Sequence, residues 1–371
     1  MPRGFRLRCL ILGLVPLGFA VCQGIDALVK KAAGGDTASQ VSLAEKYRLG
    51  LGIEQNSAEA LRLYKLAAAK GDSRAQFDLA EMYRFGEGGA PDYSQAAHWY
   101  KLAADQGLPE AQFALGVMYD NGQGVPQDYQ EAVRWYKLLA NENMADAEYN
   151  LGLMYANGKG VTQDYAEAAR WYRRAADHRN LAEAQYDLGV LYDKGQGVAQ
   201  DFQAAARWYQ LAADQGYEQA QFNLGALYLN GQGVPQDDVK SAHWFLLAAE
   251  KGQAEAQYNL GVLYASGQGV SRDANEAARW YRLAAEQGYR DAQFNLGASY
   301  ANGWGVPRDL VQAEKWFEIA ARQGDEDSVK ARDKLSARMS PAEIDQARAL
   351  AAAWTPCKAK PECAARTRES H

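Results

Sequence analysis

The chain has 371 residues, of which 48% are hydrophobic and 23% charged, a balance typical of a folded globular protein. Its formal net charge is −6 and no basic stripe dominates the sequence, which argues against a nucleic-acid partner.

Residues 1–22 have the pattern of a secretory signal peptide. Three arginines precede the apolar run "CLILGLVPLGFAVC", which is too short to form a stable membrane anchor. Small residues suit cleavage after Ala20 or after Cys22, and acylation of Cys22 is the less favoured alternative. A buried N-terminal helix is a further alternative. We therefore expect a periplasmic or secreted protein, with a lipid-anchored envelope protein as the alternative and no other contact with a membrane.

Residues 23–34 are predicted to form a partial helix. The segment "ALVKKAAGGD" resembles the end of a later helix, "LYKLAAAKGD", so it is expected to cover the first unit of the array that follows.

Residues 35–324 contain eight copies of a repeat. Tryptophans recur in steps of 36 residues, with one step of 37, at Trp99, Trp135, Trp171, Trp208, Trp244, Trp280 and Trp316. The extra residue falls between Asp177 and Ala184. A fixed period of this length predicts a stacked array, because one short unit cannot bury its apolar face alone.

Each copy is predicted to form two helices. In the third copy the apolar residues follow helical spacing, first in Ala111, Leu115, Met118 and Tyr119, then in Ala132, Trp135, Tyr136, Leu139 and Ala140. The tryptophan is expected to fill the space between neighbouring helix pairs.

The segment between the two helices has turn and cap signals. Gly122 suits a left-handed C-cap of the first helix, and the apolar side chain of Val125 is expected to pack under the loop. Asp128 is predicted to cap the second helix, with Glu131 completing a capping box.

The motifs Ala-x-x-x-Leu-Gly-x-x-Tyr, Gly-x-Gly-Val and Ala-x-x-Trp-Tyr-x-x-Ala-Ala recur through the array, as in "AEAQYNLGVLYASGQGV". Through them the chain resembles the Sel-1-like repeat family, a relative of the tetratricopeptide repeats. The resemblance implies an all-α fold, a right-handed α-solenoid superhelix of eight helix-turn-helix repeats. It also implies the family's role as an adaptor that gathers proteins into complexes.

Residues 325–354 are predicted to be C-terminal capping helices. Ser340, Pro341 and Glu343 give N-cap, N1 and N3 signals for the last helix, and Trp354 is expected to pack against the eighth repeat. In the tail, residues 355–371, Cys357 and Cys363 are predicted to form a disulfide in an oxidising compartment. A metal-binding pair and a reactive thiol pair are the alternatives.

No chemical site emerges from the sequence. The chain has four histidines, and the spacing of cysteine and histidine matches no metal site. Some members of the Sel-1-like family, the cysteine-rich proteins of Helicobacter, have been linked with penicillin binding. The motifs S-x-x-K, S-D-N and K-T-G are absent here, as are the cysteine pairs within the repeats. We therefore expect no enzyme, no catalytic residue, no metal and no cofactor, with a cell-wall or β-lactam-hydrolysing enzyme as the alternative.

One polar stripe is the candidate binding site. Its members precede the Leu-Gly of the first helix in five copies: Asn150, Asp187, Asn223, Asn259 and Asn295. Helical geometry places them beside the core face, on the expected concave side. In tetratricopeptide relatives such an asparagine often holds the main chain of a bound peptide, and an amide both donates and accepts hydrogen bonds. The sequence thus predicts a protein or peptide partner. The alternative, that the stripe is inherited consensus that only contacts water, is slightly favoured, and a purely structural envelope spacer is a third interpretation.

Overall fold

A computed structural model describes residues 17–357 of the chain, and side chains from Gly24 onward. The described residues form nineteen α-helices and no strand. The helices are α1 (Leu17–Ala33), α2 (Thr37–Leu49), α3 (Ser57–Ala68), α4 (Ser73–Phe85), α5 (Tyr93–Asp105), α6 (Pro109–Asn121), α7 (Tyr129–Asn141), α8 (Ala145–Asn157), α9 (Tyr165–Arg179), α10 (Ala182–Lys194), α11 (Phe202–Asp214), α12 (Glu218–Asn230), α13 (Asp238–Glu250), α14 (Ala254–Ser266), α15 (Ala274–Glu286), α16 (Arg290–Asn302), α17 (Leu310–Arg322), α18 (Glu326–Ser336) and α19 (Pro341–Ala353).

The helices from α2 to α17 form eight consecutive pairs, which confirms the predicted all-α repeat fold. We call the even-numbered member of each pair the first helix and the odd-numbered member the second helix. The chain divides into two compact units, Met1–His178 and Arg179–His371.

The ends of the first helices follow the predicted glycine signal. Gly122 ends α6 with φ 66° and ψ 35°, and its backbone N–H donates to the carbonyl of Met118. Only glycine adopts this left-handed conformation without steric cost, so a glycine marks where each first helix stops, and it follows asparagine or serine in five of the eight.

The second helices begin at an aspartate or asparagine whose side chain caps the helix. The prediction that Glu131 completes a capping box, by accepting from the backbone N–H of Asp128, is wrong. The Asp128 carboxylate accepts from the backbone N–H groups of Gln130 and Glu131. The Asp128 backbone N–H, however, donates to the carbonyl of Tyr119 at 2.9 Å. Because that donor is already used, Glu131 turns outward to Arg134, 3.4 Å away. A complete capping box occurs at α19, between Ser340 and Glu343.

The extra residue of the fourth repeat lies at the end of its second helix. Helix α9 has 15 residues, whereas the other second helices have 12 or 13. Asn180 follows with φ 53°, a conformation that asparagine tolerates better than most residues.

Every second helix except α3 carries two adjacent aromatic side chains with different targets. The tryptophan packs between neighbouring pairs, as predicted: Trp135 on α7 lies with Leu115 of its own repeat and Tyr100 of the preceding one. The adjacent tyrosine, Tyr136, is fully buried against the first helix of its own repeat.

A glycine on the first helix makes room for that tyrosine ring. A Cβ added at Gly152 would lie 2.6 Å from the ring of Tyr172, and one added at Gly261 would lie 2.7 Å from the ring of Tyr281. Such contacts are shorter than real carbon atoms allow, so the recurring Leu-Gly is a packing requirement.

Both ends of the array are covered by helices. Ala32 of α1 is buried with Leu43 and Leu63 of the first repeat. At the other end the rings of Trp316 and Trp354 meet edge to face with centroids 5.9 Å apart, which confirms the predicted position of Trp354.

Candidate protein-interaction surface

The predicted stripe residues occupy one position on successive first helices. Asn150 lies on α8 in the first unit, and Asp187, Asn223, Asn259 and Asn295 lie on α10, α12, α14 and α16 in the second. All five side chains are half-buried. They therefore lie at the edge of the core, as the helical spacing predicts, with part of each side chain open to solvent.

Asparagines of the stripe lie beside tyrosine hydroxyls of the preceding repeat. Asn295 is next to the hydroxyls of Tyr258 and Tyr281, and its amide counteracts the effect of burial, which raises the pKa of Tyr281 to about 12. Asn223 has the same place beside Tyr186 and Tyr209. These amides thus contact the preceding repeat and are also partly exposed at the surface.

Asn150 lies beside the hydroxyl of Tyr136 in the preceding repeat, but the contact is weaker. Burial raises the pKa of Tyr136, and the Asn150 amide is the polar group that opposes the shift. The Tyr136 hydroxyl makes no well-aligned hydrogen bond, so the two groups are adjacent without a strong bond.

Asn259 shows what happens when the hydroxyl is missing. The preceding second helix carries Phe245 in place of tyrosine. The Asn259 amide instead donates to the carbonyl of Glu255, one turn earlier in its own helix, at 3.0 Å. At the position where Tyr209 lies beside Asn223, the repeat before Asn259 has no hydroxyl to offer.

Asp187 brings a carboxylate to the same position. It acts with burial to raise the pKa of Tyr186 and of Tyr217. The stripe in the second unit therefore combines one acid with three amides.

A glutamine three residues after the start of seven of the eight first helices is a structural feature that the sequence analysis missed. Its side-chain amide donates to an alanine carbonyl at the end of the preceding second helix, at 3.1–3.2 Å, in Gln76, Gln112, Gln221, Gln257 and Gln293. The recurring Ala-Gln before the aromatic residue was the available signal. The buried amide satisfies a helix C-terminal carbonyl that would otherwise lack a partner.

The fourth repeat replaces this glutamine with Glu148, whose side chain is fully buried. Arg174 Nη2 lies 2.8 Å from one carboxylate oxygen as a charge pair, although the geometry is not that of a well-aligned hydrogen bond. His178 Nδ1 lies 2.8 Å from the other oxygen. Arg174 also donates to the Ala140 carbonyl at 2.8 Å, which is the bond a glutamine makes in other repeats. The cluster of Glu148, Arg174 and His178 therefore takes the structural place of the buried glutamine in this repeat of the first unit.

Two tyrosine pairs on the second unit were also missed. Tyr186 meets Tyr217, and Tyr258 meets Tyr289, each with ring centroids 5.1 Å apart. Tyr217 and Tyr289 directly precede α12 and α16, a position that carries no motif of the repeat.

The C-terminal tail is held against the array as far as the structure describes it. The backbone N–H of Cys357 donates to the carbonyl of Glu286 at 2.8 Å. Cys363 lies outside the described residues, so the disulfide between Cys357 and Cys363 stays a prediction. The signal peptide and the acylation of Cys22 also stay predictions, because residues 1–16 lie outside the described part and the Cys22 side chain is not described.

Within residues 17–357, no three His, Cys, Asp or Glu side chains gather to hold a metal ion. Across that same stretch, the helices are all too short or too polar to cross a bilayer.

Comparison with known proteins identifies the repeat. The Sel1 repeat family model matches residues 37–72, 73–108, 109–144, 145–180, 182–217, 218–253, 254–289 and 290–325. A Sel1 repeat protein from Oxalobacter formigenes is 31% identical, with a TM-score of 0.68 over 90% of this chain and 97% of that chain. A protective antigen of uropathogenic Escherichia coli with an SLR fold is 30% identical, with a TM-score of 0.49 over 96% and 93% of the two chains. No curated protein matches the chain significantly. The chain belongs to the Sel1 repeat family, whose members are generally protein-interaction modules.

Proposed function

We propose that this protein is an exported, periplasmic adaptor that binds a protein or peptide on the face formed by the first helices of its second unit. The observation that carries the proposal is the row of half-exposed polar side chains at one position of successive first helices in the second unit. Asn223, Asn259 and Asn295 each present an amide, which donates and accepts hydrogen bonds and so suits the main chain of a partner.

The geometry favours main-chain recognition over recognition of particular side chains. Identical groups on successive helices match a partner that also repeats its polar groups at regular intervals, as an extended backbone does. Asn259 shares no hydroxyl with the preceding repeat, so its amide is the member most available for this role.

Site-specific photo-crosslinking in living cells tests the binding face. A photoreactive residue at position 259 should capture a partner that mass spectrometry identifies. The control is the same residue at Arg207, which is exposed on a second helix of the same unit. Capture at position 207 without capture at 259 would place the partner on the wrong face and overturn the proposal.

Export rests on the three arginines and the short apolar run at the N-terminus. N-terminal sequencing of the mature protein should begin at Val21 or Gln23 in the periplasmic fraction. Cleavage there would trim only the start of α1 and leave the helix from Gln23 to Ala33 over the first repeat. Intact Met1 on a cytoplasmic protein is the contrary result.

A further inference from the structure

The last repeat carries a buried acid where the other repeats carry an apolar side chain. Glu314 lies on α17, two positions before Trp316, and its side chain is fully buried. The equivalent residues of the other seven second helices are Leu61, Ala97, Val133, Ala169, Ala206, Ala242 and Ala278. Packing within the array therefore does not require an acid at this position.

Helix α18 covers this acid. The Ser336 hydroxyl donates to Glu314 Oε1 at 2.7 Å, whereas Oε2 of the same carboxyl is buried without a hydrogen-bond partner. Burial removes the water that stabilises the charge of a carboxylate, and an unsatisfied oxygen adds to the free-energy cost. The site under α18 therefore fits a protonated carboxyl better than an ionised one.

The charged groups around Glu314 oppose the effect of burial only in part. Burial is the largest influence and raises the pKa of Glu314 above the ordinary value for a glutamate. The hydroxyl of Ser336 and the guanidinium groups of Arg332 on α18 and Arg348 on α19 favour the ionised form, while Glu318 on α17 disfavours it. The net direction of the pKa change agrees with the orphaned oxygen.

Arg332 is committed to other acids. Its Nη1 lies 2.9 Å from the Glu318 carboxylate, and its Nη2 lies 2.8 Å from Asp333. On the remaining side, α16 contributes the half-buried Tyr300 to the apolar core beside α17. Arginine keeps its charge at any ordinary pH and tyrosine ionises near pH 10, so neither group titrates in the range of a carboxyl group.

Helix α18 buries little of its own surface. Its buried residues are Ser328 and Leu335, and the Ser328 hydroxyl has no hydrogen-bond partner. The first helix of the last repeat, α16, buries Ala292, Gln293, Leu296, Gly297 and Ser299. A segment with so few buried apolar groups opens locally at a low free-energy cost.

Helix α19 is attached to α17 independently of α18. Trp354, which ends α19, meets Trp316 edge to face. Opening of α18 therefore uncovers Phe317, which packs with Leu335, while α19 stays in place.

We propose that Glu314 makes the C-terminal cap pH-sensitive: α18 is held on α17 while this carboxyl is protonated, and it opens locally when the carboxyl is ionised. Opening lets water reach Glu314, and the proton passes to that water, so opening and ionisation favour each other. The stabilisation of the closed cap is complete below the ordinary pKa of a glutamate, 4.5, and is lost as pH rises through the raised pKa of the buried group.

Hydrogen–deuterium exchange of the full chain, read by mass spectrometry on peptides from α18, tests the proposal. Dividing each rate by the intrinsic exchange rate at that pH leaves the opening equilibrium. The open fraction of α18 should rise about threefold or more between about pH 5 and about pH 8, because one proton changes an equilibrium by at most tenfold per pH unit. Peptides from α16 are the internal control and should show no such rise. An open fraction of α18 that is independent of pH would overturn the proposal.

Protein variants assign the effect to one carboxyl. Glu314→Gln keeps the shape of the side chain and an acceptor for Ser336 but cannot ionise, so α18 should stay closed at both ends of the pH range. Glu314→Ala should likewise lose the pH dependence, and it should fold because alanine occupies this position in five other repeats.

Asp345→Asn is the matched control, because it removes an exposed acid of the same cap. This variant should keep the pH dependence of the unmodified chain. A pH dependence that persists in Glu314→Gln would overturn the proposal, and so would its loss in Asp345→Asn, which would assign the effect to the overall charge of the cap.

Discussion

Glu142 stands where four other repeats place a glutamine that donates to a buried glutamine. In those repeats the donor lies 30 positions after the buried glutamine and bonds to its side-chain oxygen, as Gln287 does to Gln257 at 2.8 Å. Glu142 has no such donor, and the side-chain oxygen of Gln112 is buried without a hydrogen-bond partner.

We therefore expect Glu142→Gln to stabilise the protein. A new bond to the buried oxygen of Gln112 should add about 1 kcal/mol to the free energy of unfolding, measured as a higher urea midpoint. Glu142→Ala is the control, because it removes the charge from the C-terminus of α7 without supplying a donor. Equal gains in both variants would assign the effect to the helix dipole.

Arg174→Leu should be strongly destabilising. The substitution leaves His178 as the remaining partner of the buried Glu148 carboxylate, and it removes the donor to the Ala140 carbonyl. We expect the free energy of unfolding to fall by about 3 kcal/mol. Adding Glu148→Gln to the same chain should recover most of the loss, because glutamine makes this bond in other repeats. Denaturant unfolding of the single and double variants checks this, and no recovery in the double variant would contradict it.

High pH should unfold the protein through its buried tyrosines. Burial raises the pKa of Tyr64, Tyr100, Tyr136, Tyr209 and Tyr281, the last to about 12, against about 10 in an unfolded chain. Above pH 10 the unfolded state loses protons that the folded state retains, so stability is full below that pH and falls as pH rises. Absorbance at 295 nm should show tyrosines that ionise only as helicity is lost. Complete ionisation with intact helicity would refute this.

Asn223→Ala and Asn259→Ala should differ in stability although they are neighbours in the stripe. Asn223 lies beside the hydroxyls of Tyr186 and Tyr209, whereas Asn259 bonds to its own helix. We expect a loss of about 1 kcal/mol for Asn223→Ala and almost none for Asn259→Ala. Thermal unfolding compares them, and equal losses would show that the tyrosine contact contributes nothing.

The Cys357–Cys363 disulfide should be present in protein purified from the periplasm. Closing so short a loop contributes only about 2 kcal/mol in the chain-entropy model, so the bond should protect the tail more than it stabilises the array. Mass spectrometry after alkylation, with and without reductant, checks it. Two thiols alkylated without reductant would reject the bridge and weaken the case for export.

The sequence by itself determined the repeat architecture. The 36-residue period, the glycines that end first helices and the aspartates that begin second helices are local signals, and the structure follows them. The place of each tryptophan between neighbouring pairs also follows from its spacing, because a stacked array has only one face on which to bury it.

Tertiary structure decided which polar groups meet. Glu131 and Asp128 have the spacing of a capping box, but the Tyr119 carbonyl from the other helix takes the Asp128 N–H. The partnership of Glu148 with Arg174 and His178 spans up to 30 residues and joins two helices, so no local pattern encodes it. The tyrosine pairs likewise join side chains 31 residues apart, because ring contacts depend on how one helix pair stacks on the next.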